Sequence, residues 1–298
     1  MRIIAPITVT DSVLVSSSVP ETDHPVWSSS TAYTAGQKVI RTTTHRIYEA
    51  LVSTTGDVPE SSPTKWLDIG PTNRWGMFDH RVGTATTATD SIVVELSTGG
   101  VIPAVALLET NAKEVTVAVS SPGEGTVYSR TTELQAPPTD SSWWHYFFEP
   151  FYRRDSATYE DLPSYAGTTV TVTISGASGE AVSCGVCIIG ELYQFQGSVV
   201  YGAEIGIQDY SRKETDDFGR VAVVERAWAK RARWTVFVQS SAVDRVQRTL
   251  AALRAKPAVY IGADRFDSMR LYGFYKDFSV VIDYPGYAEC SLELEGLI

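Results

Sequence analysis

The sequence predicts a mainly β protein, and three observations predict it. Short runs alternate apolar and polar residues with period two, β-branched residues dominate those runs, and Gly, Pro, Ser and Thr clusters separate them. At 298 residues the chain exceeds the usual size of one hydrophobic core, so several domains are expected. The expected class is a small β module, a β-sandwich domain, and a C-terminal β-rich domain with one helix. The expected divisions are an N-terminal β segment at 1–24, the module at 25–70, the sandwich at 71–198 and an α+β domain at 199–298.

The elements follow in chain order. Val9, Val13 and Val15 stand among Thr and Ser and read as one or two short strands. From His24 to Gly70 aromatics are widely spaced among Thr, Ser, Gly and Pro with no helical period, which suits a very small β fold. Ser91–Leu96 and Lys113–Val119 are alternating runs, and Val115, Val117 and Val119 share one face of a half-buried strand. The pattern returns at Thr169–Ile174 and in the apolar run Ser183–Ile189, which together suggest the sandwich. Between them, Asp140–Tyr165 is aromatic-rich and unpatterned and reads as a long loop.

The C-terminal third carries the one helical stripe. Val243, Val246, Leu250 and Leu253 fall on one face of Ser241–Lys256, where Ser240 or Ser241 would cap the start and Pro257 stops the helix. Asp244 suits the positive dipole end, and Arg254 and Lys256 the negative end. Strands are expected at Trp234–Val238, Val259–Ile261, Phe278–Ile282 and Cys290–Leu294.

Composition narrows the function. The chain is 43% apolar and 20% charged, which is ordinary for a folded protein. Its net charge of −10 is uneven: residues 1–200 hold 21 acidic against 11 basic residues, and residues 201–298 hold 14 of each. A nucleic-acid binder needs a basic face, which this distribution does not offer. Three cysteines are too few for a disulfide framework. Met1–Pro6 lacks the apolar core of a secretory signal, and no run approaches the ~20 apolar residues of a membrane helix.

Candidate chemistry is sparse. Cys184 and Cys187 have redox or zinc spacing, but on a strand residues three apart face opposite ways, so core packing is expected and neither metal nor cofactor. Glu149, Asp155, Glu160 and Asp161 could serve a glycosidase, with Trp143 and Trp144 lining a cleft, but one loop gives no rigid separation for an acid and base pair. No nucleophile elbow, phosphate loop or dinucleotide fingerprint is present, so no catalytic residue is assigned. The mixed-sign cluster Ser211–Gly219 suits a solvated hairpin tip or an inter-subunit contact, with Arg212, Lys213, Asp216, Asp217 and Arg220 as the interface candidates. Among Arg226, Lys230, Arg231 and Arg233, interleaved with Trp228 and Trp234, strand alternation is expected to scatter the charge.

Two resemblances add to these readings. Trp27, Tyr33-Thr34-Ala35-Gly36, Val39, Tyr48-Glu49-Ala50, Pro59, Pro63 and Trp66 form an ordered set that resembles the small chitin- and cellulose-binding modules of carbohydrate-binding families 5 and 12. The resemblance implies a miniature aromatic core and an exposed aromatic platform for pyranose rings, with Trp27, Tyr33, Tyr48 and Trp66 as the candidate carbohydrate-binding residues. The sequence departs from the family where an aromatic pair is replaced by Leu51-Val52. The last hundred residues resemble minor tail and distal-tail-type tip proteins of long-tailed bacteriophages. The carrying segments are Val200–Ser211, Glu225–Trp228 and Ala288–Leu297.

That second resemblance implies a non-enzymatic structural component of a phage tail tip or baseplate, assembled in the host cytoplasm and resident in the virion. Its partners would be other phage tail proteins, further copies of the chain in a trimer or hexamer, and host cell-surface polysaccharide. A polysaccharide depolymerase and a free carbohydrate-binding protein are the alternatives.

Overall fold

The computed structural model describes residues 1–136, 143, 152–195, 197–215, 218–282 and 284–297. The fold is mainly β, with a ten-residue helix near the C-terminus, as the sequence predicts. The chain divides into two compact units, residues 8–188 and residues 1–7 with 189–298.

The unit at 8–188 contains the small module and the sandwich. In the module, Lys38–Arg41, Arg46–Ala50 and Trp66–Pro71 form an antiparallel three-stranded sheet, and Ala32–Tyr33 pairs with Thr54–Thr55. Tyr33, Val39, Tyr48, Ala50 and Trp66 make its core, with Trp27 packed against them. Tyr33 meets Trp66 edge-on at 5.3 Å, and the Trp66 indole donates to the Asp57 carbonyl at 3.1 Å. So small a core depends on such aromatic area and on satisfied polar tips.

The sandwich's first sheet has five antiparallel strands in the order Gly125–Glu133, Glu114–Ser121, Thr169–Ser175, Ser91–Leu96, Leu14–Ser17. Its alternation is strict: Val115, Val117, Val119, Val170, Val172 and Ile174 are all buried. Ala104–Asn111, Ala157–Tyr159, Thr86–Thr89 and the stretch from Ala181 belong to the second sheet. The buried Tyr159 hydroxyl crosses between sheets to the Val115 carbonyl, 2.9 Å away. The expected loop at Asp140–Tyr165 therefore requires correction. Tyr152–Arg153 pairs with Gln135–Ala136, and Ala157–Tyr159 is a strand. Three residues are too few for a period to declare itself; only pairing with Val105–Leu107 makes them a strand. The rest of that expectation falls largely outside the described residues.

In the second unit, Arg2–Pro6 lies between the stretch Gly190–Gln194 and the strand Ala258–Ile261. Arg270–Val281, Tyr287–Gly296, Trp228–Gln239 and the edge strand Glu204–Asp209 follow in order. The N-terminal residues expected to stand apart at 1–24 are thus divided, Arg2–Pro6 entering this sheet and Leu14–Ser17 the sandwich. The helix, Val243–Ala252, buries Val246 and Leu250 on one face of the sheet, against Trp234, Val236, Leu292 and Leu294. Its start differs from expectation. Ser240–Ala242 forms a 3-10 turn, no side chain caps the helix, and the Ser240 hydroxyl lies 3.5 Å from the Tyr284 carbonyl instead. The helix also ends four residues early, with Ala255 left-handed at φ 56° ahead of Pro257.

Candidate assembly interface

The edge strand Glu204–Asp209 pairs with Trp228–Arg233, and the ribbon continues as Arg212–Thr215 paired with Val221–Val224. The neighbouring strand Tyr287–Gly296 pairs no further than Glu295 with Arg231, so Arg212–Thr215 and Val221–Val224 run past the end of the sheet as a two-stranded arm. At ~3.3 Å per residue the stretch from Asp209 to Thr215 spans about 20 Å. All fourteen residues of Glu204–Asp209, Arg212–Thr215 and Val221–Val224 are exposed. Ile207 is 66% exposed, Val221 62%, Val223 60% and Trp228 52%.

The expected interface residues Arg212 and Lys213 sit on this arm, and Arg220 at its turn. Asp216 and Asp217 lie outside the described residues. Arg212 pairs with Glu214, and Lys213 lies 3.6 Å from Asp209. Such exposed pairs contribute little to stability. On the strand Trp228–Gln239, Lys230 and Arg231 take opposite faces as alternation predicts, while Arg231 and Arg233, two residues apart, share one face, where Glu293 lies 3.7 and 3.6 Å away.

A second apolar surface lies at the other end of the same sheet. Phe237, Val281, Ile282, Tyr284 and Tyr287 are all exposed. Tyr287 stacks on Tyr284 at 4.7 Å and meets Phe237 edge-on at 5.2 Å. Glu289 stands in register between Phe237 on one neighbouring strand and Val281 on the other. Sequence reasoning missed this patch. Its signal was the apolar run Val280-Val281-Ile282 ahead of Pro285-Gly286, where a tight turn returns Tyr287 to the same face.

The module's candidate sugar residues are placed differently from a platform. Tyr33, Tyr48 and Trp66 are buried, and the Arg41 guanidinium covers Trp27 at 4.7 Å. The aromatic faces on which a pyranose would stack are taken up by the core, while Val26, Leu51, Val52, Leu67 and Ile69 are the large apolar side chains the module exposes.

Of the candidate carboxylates, Glu149 lies outside the described residues, as does Trp144; Trp143 is exposed. Asp161 accepts from the Tyr128 hydroxyl at 2.9 Å and from Arg130 at 3.4 Å. Burial and the Asp161 carboxylate push the Tyr128 phenol up to about 12. One carboxyl of this unit that the sequence did not suggest is raised above its ordinary pKa. Glu109, left-handed at φ 51°, is raised above its ordinary pKa by burial and then by the charge of Asp155. Its carboxylate lies over Gly185, where a Cβ would stand 2.6 Å from an oxygen, so only glycine fits there.

The Cys184 thiol is pushed up to about 12 and Cys187 well above its ordinary value, both by burial. Thiols so placed stay protonated and packed, which is poor redox or metal chemistry. Another cluster unannounced by sequence is His45, stacked on Trp75 at 4.1 Å, with Asp11 at 3.0 Å and Glu21 at 3.1 Å. It joins residues from four distant segments and ties the module to its unit.

A cleft of about 940 Å³ opens beside the start of the edge strand, lined by Met1, Phe195, Tyr201, Ile205, Phe266 and Met269 among others. Its described lining has one carboxylate, Asp264, which Arg2 holds in an ion pair and below the usual carboxylate range. Among the described residues no helix is long and apolar enough to cross a membrane, and no cluster of His, Cys, Asp or Glu is arranged to hold a metal. No protein-family model matches the chain, and no curated protein matches it either.

Proposed function

We propose that this chain is a structural, non-enzymatic component of a bacteriophage tail tip that works by self-assembly. The tail assignment is supported by the resemblance carried on Val200–Ser211, Glu225–Trp228 and Ala288–Leu297. The assembly role is supported by one observation above all, the exposed arm. A two-stranded ribbon is at best marginally stable in water, and this one keeps Ile207, Val221, Val223 and Val224 exposed. An apolar surface of this kind marks a protein contact.

Charge supports the same role. Residues 210–228 hold four basic and four acidic residues within a chain of net charge −10, so the arm can approach another acidic copy without strong repulsion. With its aromatics in the core, the module serves here as a folded spacer.

Electron microscopy of the purified full chain tests the proposal, and rings or particles of defined symmetry are the expected result. Monomers at micromolar concentration would sink it. Incubation with capsular or cell-wall polysaccharide should release no reducing ends. Release abolished by Glu109→Gln or Asp161→Ala would replace the structural reading with a hydrolase.

A further inference from the structure

We infer that the arm of one copy docks on the Phe237, Val281, Tyr284 and Tyr287 patch of a second copy. This deepens the assembly role and rests on it. The two surfaces are complementary residue by residue. On one face of the arm, Lys213 lies opposite Val223, and Thr215 opposite Val221, so a cation is bordered by two exposed valines. On the patch, Glu289 lies between Phe237 and Val281 in three adjacent strands, so an anion is bordered by two exposed apolar side chains. Laying the arm across the patch sets Lys213 against Glu289 and buries apolar surface on both sides of the pair. Lys213 gives up only an exposed contact with Asp209 in exchange. A charge pair of this sort fixes register and partner choice, while the apolar flanks supply affinity.

Geometry favours a second copy as the occupant. Arm and patch stand at opposite ends of one strand, Trp228–Gln239, so a chain cannot cover its own patch with its own arm. The competing contact is edge-to-edge pairing of Glu204–Asp209 with its two-fold mate. Full pairing of that strand would set Glu204 opposite Asp209 at both ends, and like charges directly opposed are unfavourable. It would also leave the arm valines and the aromatic patch in water. In the arm-on-patch contact each copy donates at one end and accepts at the other, an arrangement that closes into rings or extends into filaments.

Sedimentation of full-length variants decides the matter. Lys213→Glu and Glu289→Lys should each weaken self-association about tenfold, and the double exchange should restore it. Oxidation of a Val223→Cys, Val281→Cys variant should give inter-chain disulfides, with the three native cysteines buried. A Val223→Asp chain and a Val281→Asp chain, each monomeric alone, should form one-to-one heterodimers when mixed. Wild-type assembly by Lys213→Glu, failed rescue, or cross-linking through Ile207→Cys in place of 223 and 281 would overturn the docking while leaving self-assembly standing. A wild-type chain that stays monomeric removes both.

Discussion

Two valine-rich strands of this protein meet opposite fates. Glu114–Ser121 buries Val115, Val117 and Val119 completely, while Val221–Val224 leaves every residue exposed. Both are β-branched and both sit in antiparallel ladders. The first has a second sheet lying over it, as the Tyr159 hydroxyl on the Val115 carbonyl attests. The second has one hairpin partner and no covering layer among the described residues. Strand propensity sets the ladder, and only a second layer sets the core. An uncovered layer is a demand for a partner.

The contrast can be broken most forcefully by charge. Val117→Asp places an unpaired carboxylate between two sheets and should destabilise its unit by about 5 kcal/mol. Val223→Asp should shift unfolding by no more than about 0.5 kcal/mol while self-association falls. Urea titrations of both variants check this, and equal losses would mean that the arm is packed within its own chain.

The module offers the next test. Trp66→Ala removes a buried ring and the bond to the Asp57 carbonyl, and should cost about 3–4 kcal/mol. Leu51→Ala and Val52→Ala, both exposed, should each stay within about 0.5 kcal/mol. A silent Trp66→Ala in thermal unfolding would return that ring to a binding role.

Thiol chemistry sharpens the same comparison without altering stability. Cys184 is pushed up to about 12, Cys290 to about 11 and Cys187 well above its ordinary value, each by burial. At pH 8 a thiol reagent should leave all three unlabelled until denaturant opens the units, and should label Val223→Cys at once. Rapid labelling of the wild-type chain would contradict the burial described for all three.

The smallest effect is on pH. The Lys65 and Thr54 hydrogen bonds hold Asp57 below its ordinary 3.8, and Arg41 holds Glu60 below its ordinary 4.5. A carboxyl lowered in the folded chain contributes stability above its ordinary pKa and loses it as pH falls through the folded value. The melting temperature of the module should therefore be flat above about pH 5 and decline below about pH 4. Arg41→Ala should make that decline shallower; an unchanged slope would dismiss the Glu60 contribution.

Much of this architecture was legible in sequence because it is periodic. Val115, Val117 and Val119 announce a strand face, and Val246 and Leu250 a helical stripe, through spacing that any reader can count. The hairpin around Arg212–Gly219 was legible from its charge and its glycine. The module's aromatics were visible as an ordered set, but spacing is the same whether a ring faces a core or a sugar, so their burial was not. The patch at Phe237 and Tyr287 left only the short apolar run before Pro285-Gly286 as a signal, while the carboxyl of Glu109 and the His45 cluster join residues from separate segments and leave no local trace.

The sequence by itself determined the β class, the helical stripe, the balanced charge of the last hundred residues, and the hairpin of the arm. These depend on side-chain period and composition, both local properties. Only the tertiary structure decided that Arg2–Pro6 joins a sheet with residues near 190 and 260, that Tyr33, Tyr48 and Trp66 face inward, and that the valines of the arm face water. Those outcomes depend on which layers the chain brings together. A strand's period names its two faces, but the opposing layer alone determines which of them is buried.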